Sequence, residues 1–323
     1  METKTVLVTG IGGNVGQGIL RNIISLNLNI RLIGVDIAAF TPGNYLCHKT
    51  YMVPYSYDEE YIPSISKIIE NEKVDLVLPS TDYEIYYLAK NRDKLNAEIV
   101  ASKASTAKIY LDKYETYLHL FKNNIPFAKS WLTGSYDFSE KEIIAKPREG
   151  RGSRGILLNP ENPNDLPEGY MIQPLAKGIE ITTAVYVSKN NKLHGLFTME
   201  RKLTNGTTTE SKVIFQYDAR LKVIAQKMID LGGLVGSFNI QSIVNDNHEI
   251  IPFEINCRIS GTNSIRHNLG FQDVKYAVQE YLLNEKPDTP KPIEGIATRI
   301  LIDVIYPNAS DFEKLNSTNH LLF

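Results

Sequence analysis

Cysteine, long apolar runs and surplus charge of either sign are scarce in this sequence, and each scarcity removes a class of protein. Cys47 and Cys257 are the only cysteines in 323 residues. They offer neither a disulfide framework nor metal-ligand spacing, so a reducing, cytoplasmic setting is expected. No stretch reaches the roughly 18 apolar residues that a membrane helix needs. The apolar start, Val6 to Val8, is only a strand's length before Gly10 and has no cleavage pattern behind it. With 35 basic against 37 acidic residues and a net charge of -2, there is no broad basic field for a nucleic-acid backbone or an anionic membrane. Neither partner is expected, and anion binding must rest on local clusters. What is present, 42% hydrophobic and 22% charged residues, is ordinary globular composition at a length that favours two domains.

From residue 5 to about 101, short β-rich runs (Thr5–Thr9, Arg31–Asp36, Asp75–Pro79, Glu98–Ala101) alternate with amphipathic helical patterns. That alternation predicts an α/β unit with a parallel, Rossmann-like sheet. Past residue 105 the period changes. A helix is expected over Asp112–Asn124, with an Asp112/Glu115 capping box and Tyr114, Tyr117, Leu118 and Phe121 on one apolar face. Strands then dominate, with a helix near Ala219–Leu231, another over Val274–Leu283, a strand over Thr298–Ile305 and a poorly ordered polar tail after Asn308. This second part reads as α+β.

The run VLVTGIGGNVGQGI sets Gly10, Gly12, Gly13 and Gly16 between a strand and a helix, and Asp36 ends the next strand. A dinucleotide site needs such glycines for a tight turn at a helix N-terminus and an acid for ribose hydroxyls. A short-chain dehydrogenase would also need a tyrosine and a lysine four residues apart, beyond this half. Only Tyr45/Lys49 and Tyr86/Lys90 have that spacing, and both lie within it. A turn that simply packs a helix on a strand, or a phosphate or substrate site, remains open.

Lys146 ends a strand in AKPREGRGSRG, where Gly150, Gly152, Ser153 and Gly155 supply backbone donors and Arg148, Arg151 and Arg154 add charge. Such a loop suits phosphate, though an exposed basic hairpin would look alike. Two later strands, Ser237–Val244 and Ile250–Ile259, flank the turn Asp246–Glu249. If Asn245 pairs with Ile250, Gln241 faces Glu254 and Asn239 faces Asn256. Period-two alternation sends Glu254, Asn256 and Arg258 to one face, with Phe253, Ile255, Cys257 and Ile259 to the core. One carboxylate with amide oxygens is a hard ligand set suited to Mg²⁺ completed by water and phosphates; a solvated outer face of a hairpin is the plainer alternative.

Taken in order, Asp112-Lys113, AKPREGRGSRG, MIQPLAKGIEIT, FNIQSIV and PFEINCRISG resemble the ATP-grasp superfamily, most of all one synthetase unit of the carbamoyl-phosphate synthase large subunit. The resemblance implies a Rossmann-like pre-ATP-grasp domain over 1–105 and a two-subdomain ATP-grasp fold over 106–323, with a lid at about 115–174 and a metal-binding core at about 175–310. It implies ATP and Mg²⁺, with Mn²⁺ as an alternative ion, and ligation of a small-molecule carboxylate to an amine or ammonia through an acyl phosphate. Lys113 and Lys146 resemble the phosphate-contacting basic positions, and Gly150 to Gly155 the mobile loop over them. Gln173, Pro174 and Leu175 resemble the adenine-reading hinge, Glu180 the ribose acid, and Gln241, Glu254 and Asn256 the metal ligands. Arg258 resembles the arginine that steadies the transferred phosphoryl group.

Two departures stand out: Cys257 replaces the usual proline, and Gly261 stands near a further arginine of the synthase, which puts bicarbonate chemistry in question. Arg201, Lys202, Arg266 and His267 are polar candidates for the reacting end, His267 as a proton acceptor. A homodimer is allowed for. The competing readings are an NAD(P)-dependent oxidoreductase built on the first domain and a nucleotide-binding regulatory protein without turnover.

Overall fold

The computed structural model describes residues 3–150, 152, 154–204, 206–312 and 319–323. Its first unit comprises β1 (Lys4–Thr9), α1 (Asn14–Ser25), β2 (Ile30–Asp36), β3 (Lys49–Met52), α2 (Tyr61–Glu72), β4 (Leu76–Leu78), α3 (Asp82–Lys90) and β5 (Glu98–Ile99). The five strands are parallel, in the order β3-β2-β1-β4-β5. β1 is buried on both faces because helices cover both sides, which is why it reads as a continuous apolar run. β3 is an edge strand whose sequence, KTYM, carries no alternation that would have announced it. Thr81 caps α3 through a complete box with Glu84.

Two helices, α4 (Ala104–Leu111) and α5 (Lys113–Lys122), lead to a four-stranded antiparallel sheet in the segment expected as the lid. Its strands are β6 (Trp131–Leu132), β7 (Ile143–Pro147), β8 (Leu157–Leu158) and β9 (Tyr170–Pro174), in the order β6-β9-β7-β8. The lid has its own small core of Trp131, Tyr136, Ile143, Ala145 and Ile172. Asp112 caps α5, accepting from the Tyr114 and Glu115 amides. The expected apolar face of α5 is corrected: Lys113, Thr116 and Leu120 are the buried positions, whereas Leu118 and Phe121 are exposed.

The large sheet holds β10 (Ile179–Val187), β11 (Leu193–Thr204) and β12 (Thr207–Val213), followed in the chain by α6 (Asp218–Asp230), β13 (Gly236–Val244) and β14 (Ile250–Asn256). Next come α7 (Asn263–Asn268), α8 (Asp273–Ala277) and β15 (Ile296–Thr298). The sheet order is β14-β13-β10-β11-β12-β15, all antiparallel. α8 continues into a π-helical turn, Val278–Leu282, where one helix was expected. The expected strand at 298–305 is two: β15 stops at Thr298, and β16 (Val304–Ile305) pairs with β17 (Leu321–Leu322). The end of the expected disordered tail is therefore paired rather than loose.

Packing does not divide the chain near residue 105. One core joins Leu7, Ile33, Val77 and Leu88 of the first unit to Val185, Phe238, Ile255 and Cys257 of the large sheet. A second joins Val6, Ile19 and Leu20 to Tyr186, Phe197 and Phe271. The glycines of α1 explain part of this. A Cβ on Gly16 would meet Ile11 Cα at 2.8 Å, and one on Gly18 would meet the Asn263 amide carbon of α7 at 2.8 Å. They let α1 lie against its own turn and against the second unit.

Candidate functional site

The site forms where the lid sheet, the start of α5 and the β13-β14 edge of the large sheet meet. In β14 an irregularity opposite Gln241 and Ser242 sets the register. Val244 pairs with Ile250 and Ser242 with Pro252, one step away from the expected pairing of Asn245 with Ile250. Phe253 is the extra residue, and beyond it Gln241 pairs with Glu254 and Asn239 with Asn256, as alternation required. The bulge also corrects the place of Phe253. It lines the cleft beside Glu254, while Ile255 and Cys257 are buried in the core and Ile259 is buried as well.

Lys113, Lys146, Gln173, Glu180, Gln241 and Glu254 line one cleft. Lys146 is 5% exposed, donates to the Phe253 carbonyl at 3.3 Å and has its ammonium 5.1 Å from the Phe253 ring centre. Burial pushes the Lys146 ammonium down to about 8; Glu254 opposes this and Lys113 adds to it. Lys113 donates to the Gly150 carbonyl at 3.2 Å and stands 4.0 Å from a Glu254 oxygen. Burial works to raise the Glu254 carboxyl. Lys113, Lys146, a hydrogen bond from Asn256 and Arg258 outweigh it and hold the carboxyl below its usual value.

Gln241, Asn256 and Glu254 form a chain in which Gln241 Nε2 donates to Asn256 Oδ1 at 2.8 Å and Asn256 Nδ2 donates to Glu254 Oε1 at 3.1 Å. Arg201 enters from β11, donating to Glu180 at 2.9 and 2.5 Å and also to the Gln241 amide oxygen. Arg201, offered as a substrate contact, is thus the brace of Glu180 and Gln241. Its proximity to both was not readable, because it depends on the β10-β11 and β10-β13 registers together.

Gly150, Gly152 and Arg154 line the cleft. Gly155 turns the loop with a positive φ, and a side chain there would press on Tyr170 and Pro147. Ser153 and Arg151 lie outside the described residues. Pro174 and Leu175 line the cleft, but the Leu175 amide donates to Glu142 O at 2.9 Å. Ile144, Leu203, Ile243 and Ile251 add an apolar wall that sequence reasoning missed, since nothing distinguishes them from core residues before the lid is placed.

Four candidates are corrected. Arg148 forks onto Asp112 at 3.0 and 2.6 Å and ties the lid to the α5 cap instead of lining the cleft. Arg266 is fully buried, bound to Asp273 at 2.5 Å and to Ser260 and Thr262, so it cannot meet a substrate. His267 is buried against α1, 3.0 Å from Ser25 Oγ, and burial lowers its ring below the usual range. Lys202 makes a solvated pair with Glu210. Arg258 reaches across to the first unit, its Nε 2.8 Å from Asp82 Oδ2.

The glycine turn is occupied by protein. Asp36 Oδ2 accepts the Gly12 amide at 2.8 Å, and Gly10 takes a positive φ against Ser80. The acid that a dinucleotide's ribose would need is bound to the turn itself.

A family profile described as an ATP-grasp domain matches residues 110–262. The chain carries an ATP-grasp domain. Ahead of that domain, a profile described as PylC-like, N-terminal domain, matches residues 6–101. No curated protein matches it by sequence. Among solved structures, N5-carboxyaminoimidazole synthetase from Staphylococcus aureus, complexed with ADP, superposes with a TM-score of 0.75 at 14% identity, over 92% of this chain and 82% of that one. N5-carboxyaminoimidazole ribonucleotide synthetase from Thermotoga maritima gives 0.69 at 16%, over 94% and 81%. The biotin carboxylase domain dimer of Hydrogenobacter thermophilus 2-oxoglutarate carboxylase, in complex with MgADP, ADP and bicarbonate, gives 0.70 at 10%, over 100% and 86%. At such identities the likeness concerns the fold.

Proposed function

We propose that this ATP-grasp ligase uses MgATP to phosphorylate a small-molecule carboxylate and joins the acyl group to an amine or ammonia, releasing ADP and phosphate. The observation that carries the reading is the convergence of Lys113 and Lys146 on Glu254 beneath Gly150 and Gly152. Two ammonium groups facing a cleft with one carboxylate suit a polyphosphate whose remaining charge a divalent ion neutralises.

Glu254 and Asn256 would hold Mg²⁺, with Mn²⁺ as an alternative, and the ion would neutralise the phosphate oxygens. The donor set fits in kind: it is oxygen-only, with Glu254 as the carboxylate, and the amide oxygens of Asn256 and Gln241 accept from Gln241 and Arg201 respectively. Among the described residues no three His, Cys, Asp or Glu side chains gather, so water and phosphate would complete the shell. A substrate carboxylate oxygen attacks the γ-phosphorus and ADP leaves. The amine then attacks the acyl carbon, inorganic phosphate leaves, and the amine proton passes to solvent. Lys146 and Lys113 hold the phosphates in line, Arg258 lies two residues beyond Asn256 to steady the transferred group, and the apolar wall with the lid excludes water. Gln241 and the motif order support kinship to a single carbamoyl-phosphate-synthase unit.

Saturating MgATP should raise the melting temperature, by about 2.7 kcal/mol of stability at a hundredfold excess over Kd, whereas NAD(H) should not. ADP and phosphate release against a panel of carboxylates and amino acids, with Glu254→Ala as control, tests turnover. A shift with NAD(H) alone, or MgATP binding without release for any pair, would reject the ligase reading.

A further inference from the structure

Arg299 follows β15 and is held there by its amide, which donates to Thr209 O at 2.9 Å. Its guanidinium donates to the Gly261 carbonyl, three residues beyond Arg258, while its Nε is buried without a partner. Gly261 in turn abuts α1, since a Cβ there would meet Asn14 Nδ2 at 2.9 Å. Asn14, Gln17 and Arg21 succeed one another at helical spacing and share one face of α1. On that face Arg21 donates to Tyr45 Oη at 3.0 Å and to Gln17 at 3.3 Å.

Arg21 and Arg299 have no carboxylate within ion-pair distance among the described residues, although most other arginines of the fold are paired. Burial and then the Arg21 charge work against the Arg299 cation. Gly261, whose carbonyl Arg299 holds, abuts the Asn14 end of the helix face that carries Arg21, and a guanidinium with a desolvated unused donor beside such a face is disfavoured unless an anion joins it. The first turn of α1 contains no acid and no side-chain cap to offset them.

We propose that Arg21 and Arg299, with Asn14 and the Gly261 backbone, form an oxyanion subsite that takes a carboxylate or phosphate group of the ligase's own substrate. The proposal rests on the ligase reading, because the anion it takes is assigned to that ligase's substrate; Gly261 follows Asn256, the end of β14, by five residues. It gives the glycine turn of the first unit a role distinct from nucleotide binding. The turn seats α1 so that Asn14 meets Gly261, whose carbonyl Arg299 holds.

The test uses the full chain with its nucleotide site saturated by MgADP, then titrated with inorganic phosphate, acetate or succinate and followed by thermal shift. Wild type should gain stability from at least one of these oxyanions. Arg21→Gln and Arg299→Gln should each weaken that binding by roughly ten- to a hundredfold, the loss of one charged hydrogen-bond donor, while the MgADP shift stays within twofold. Arg21 is exposed, so Arg21→Gln folds, and its melting temperature without ligand should equal or exceed wild type because a like charge has been removed. A lower melting temperature for Arg21→Gln without any change in oxyanion binding would overturn the subsite and make the arginine structural.

Oxyanion shifts that survive both substitutions would also overturn it. If MgADP itself gives no shift, the ligase reading fails while the arginine pair is still judged on phosphate alone. In turnover assays, a tenfold rise in KM for the carboxylate in Arg299→Gln identifies that substrate as the source of the anion. A rise for the amine alone identifies a fixed anionic group on the acceptor, and no rise in either rejects the proposal.

Discussion

Arg266 and Asp273 meet at 2.5 Å with neither side chain reaching water, and Ser237, Ser260 and Thr262 complete the cluster. Such a pair costs desolvation to bury, and breaking it strands a charge. Arg266→Met should lower stability by about 3–5 kcal/mol. Arg266→Met combined with Asp273→Leu should recover most of that, as read by urea titration. Unchanged stability with an altered substrate KM would return Arg266 to the reacting end.

Lys146 gives the nucleotide site a pH dependence with opposite signs for binding and for stability. Its ammonium, displaced from 10.5 to about 8 by burial, is charged below about 8 and neutral above. ATP affinity should therefore hold below pH 8 and fall by up to about tenfold per unit above it. Stability of the free protein runs the other way. The folded state binds the proton less tightly than the unfolded chain, so the penalty is full below about 8 and is relieved as pH rises toward 10.5. Calorimetric titration across pH 7–10 checks the first trend, and Lys146→Arg, which does not titrate there, should flatten it.

Removing the Glu254 carboxylate should separate metal from nucleotide binding. Glu254→Gln is expected to abolish most of the advantage of MgATP over ATP with chelator, at least tenfold by calorimetry. Because Glu254 supports the Lys146 cation, the affinity inflection near pH 8 should also move lower. A variant with the metal advantage intact would refute its place in the site.

Gly18→Ala sets two effects against each other. Helix propensity alone favours alanine by about 1 kcal/mol. The added methyl, however, would press on Asn263, which is fully buried and bound to Asn22 at 3.0 Å and to Ser260 O at 3.0 Å. Overpacking should win, with a net loss of about 1–3 kcal/mol and faster proteolysis between the two units. A stabilised variant would mean that the interface is looser than described.

Much of the architecture was legible because period-two and helical patterns survive wherever one element faces one core. The parallel character of the first sheet, the Asp112 cap and the opposition of Gln241 and Glu254 are of this kind. What escaped depends on neighbours far off in sequence. Leu118 and Phe121 look like a core stripe, yet α5 turns Thr116 and Leu120 inward because its first residue must bring Lys113 to the cleft. Arg148 and Arg266 look like free cations until Asp112 and Asp273 come alongside. Arg201 needed two strand registers at once. The glycine turn suggested a ligand where Asp36 and α7 supply the contacts.

The surplus residue at Phe253 has an evolutionary corollary. It stands between the hairpin tip and Glu254, so loops of different length at 245–249 could be exchanged without disturbing the acidic end of the strand. Deleting one residue on the Glu254 side would instead turn that carboxylate through the sheet into the core. Variation should therefore be tolerated at the tip of this hairpin and forbidden at its base.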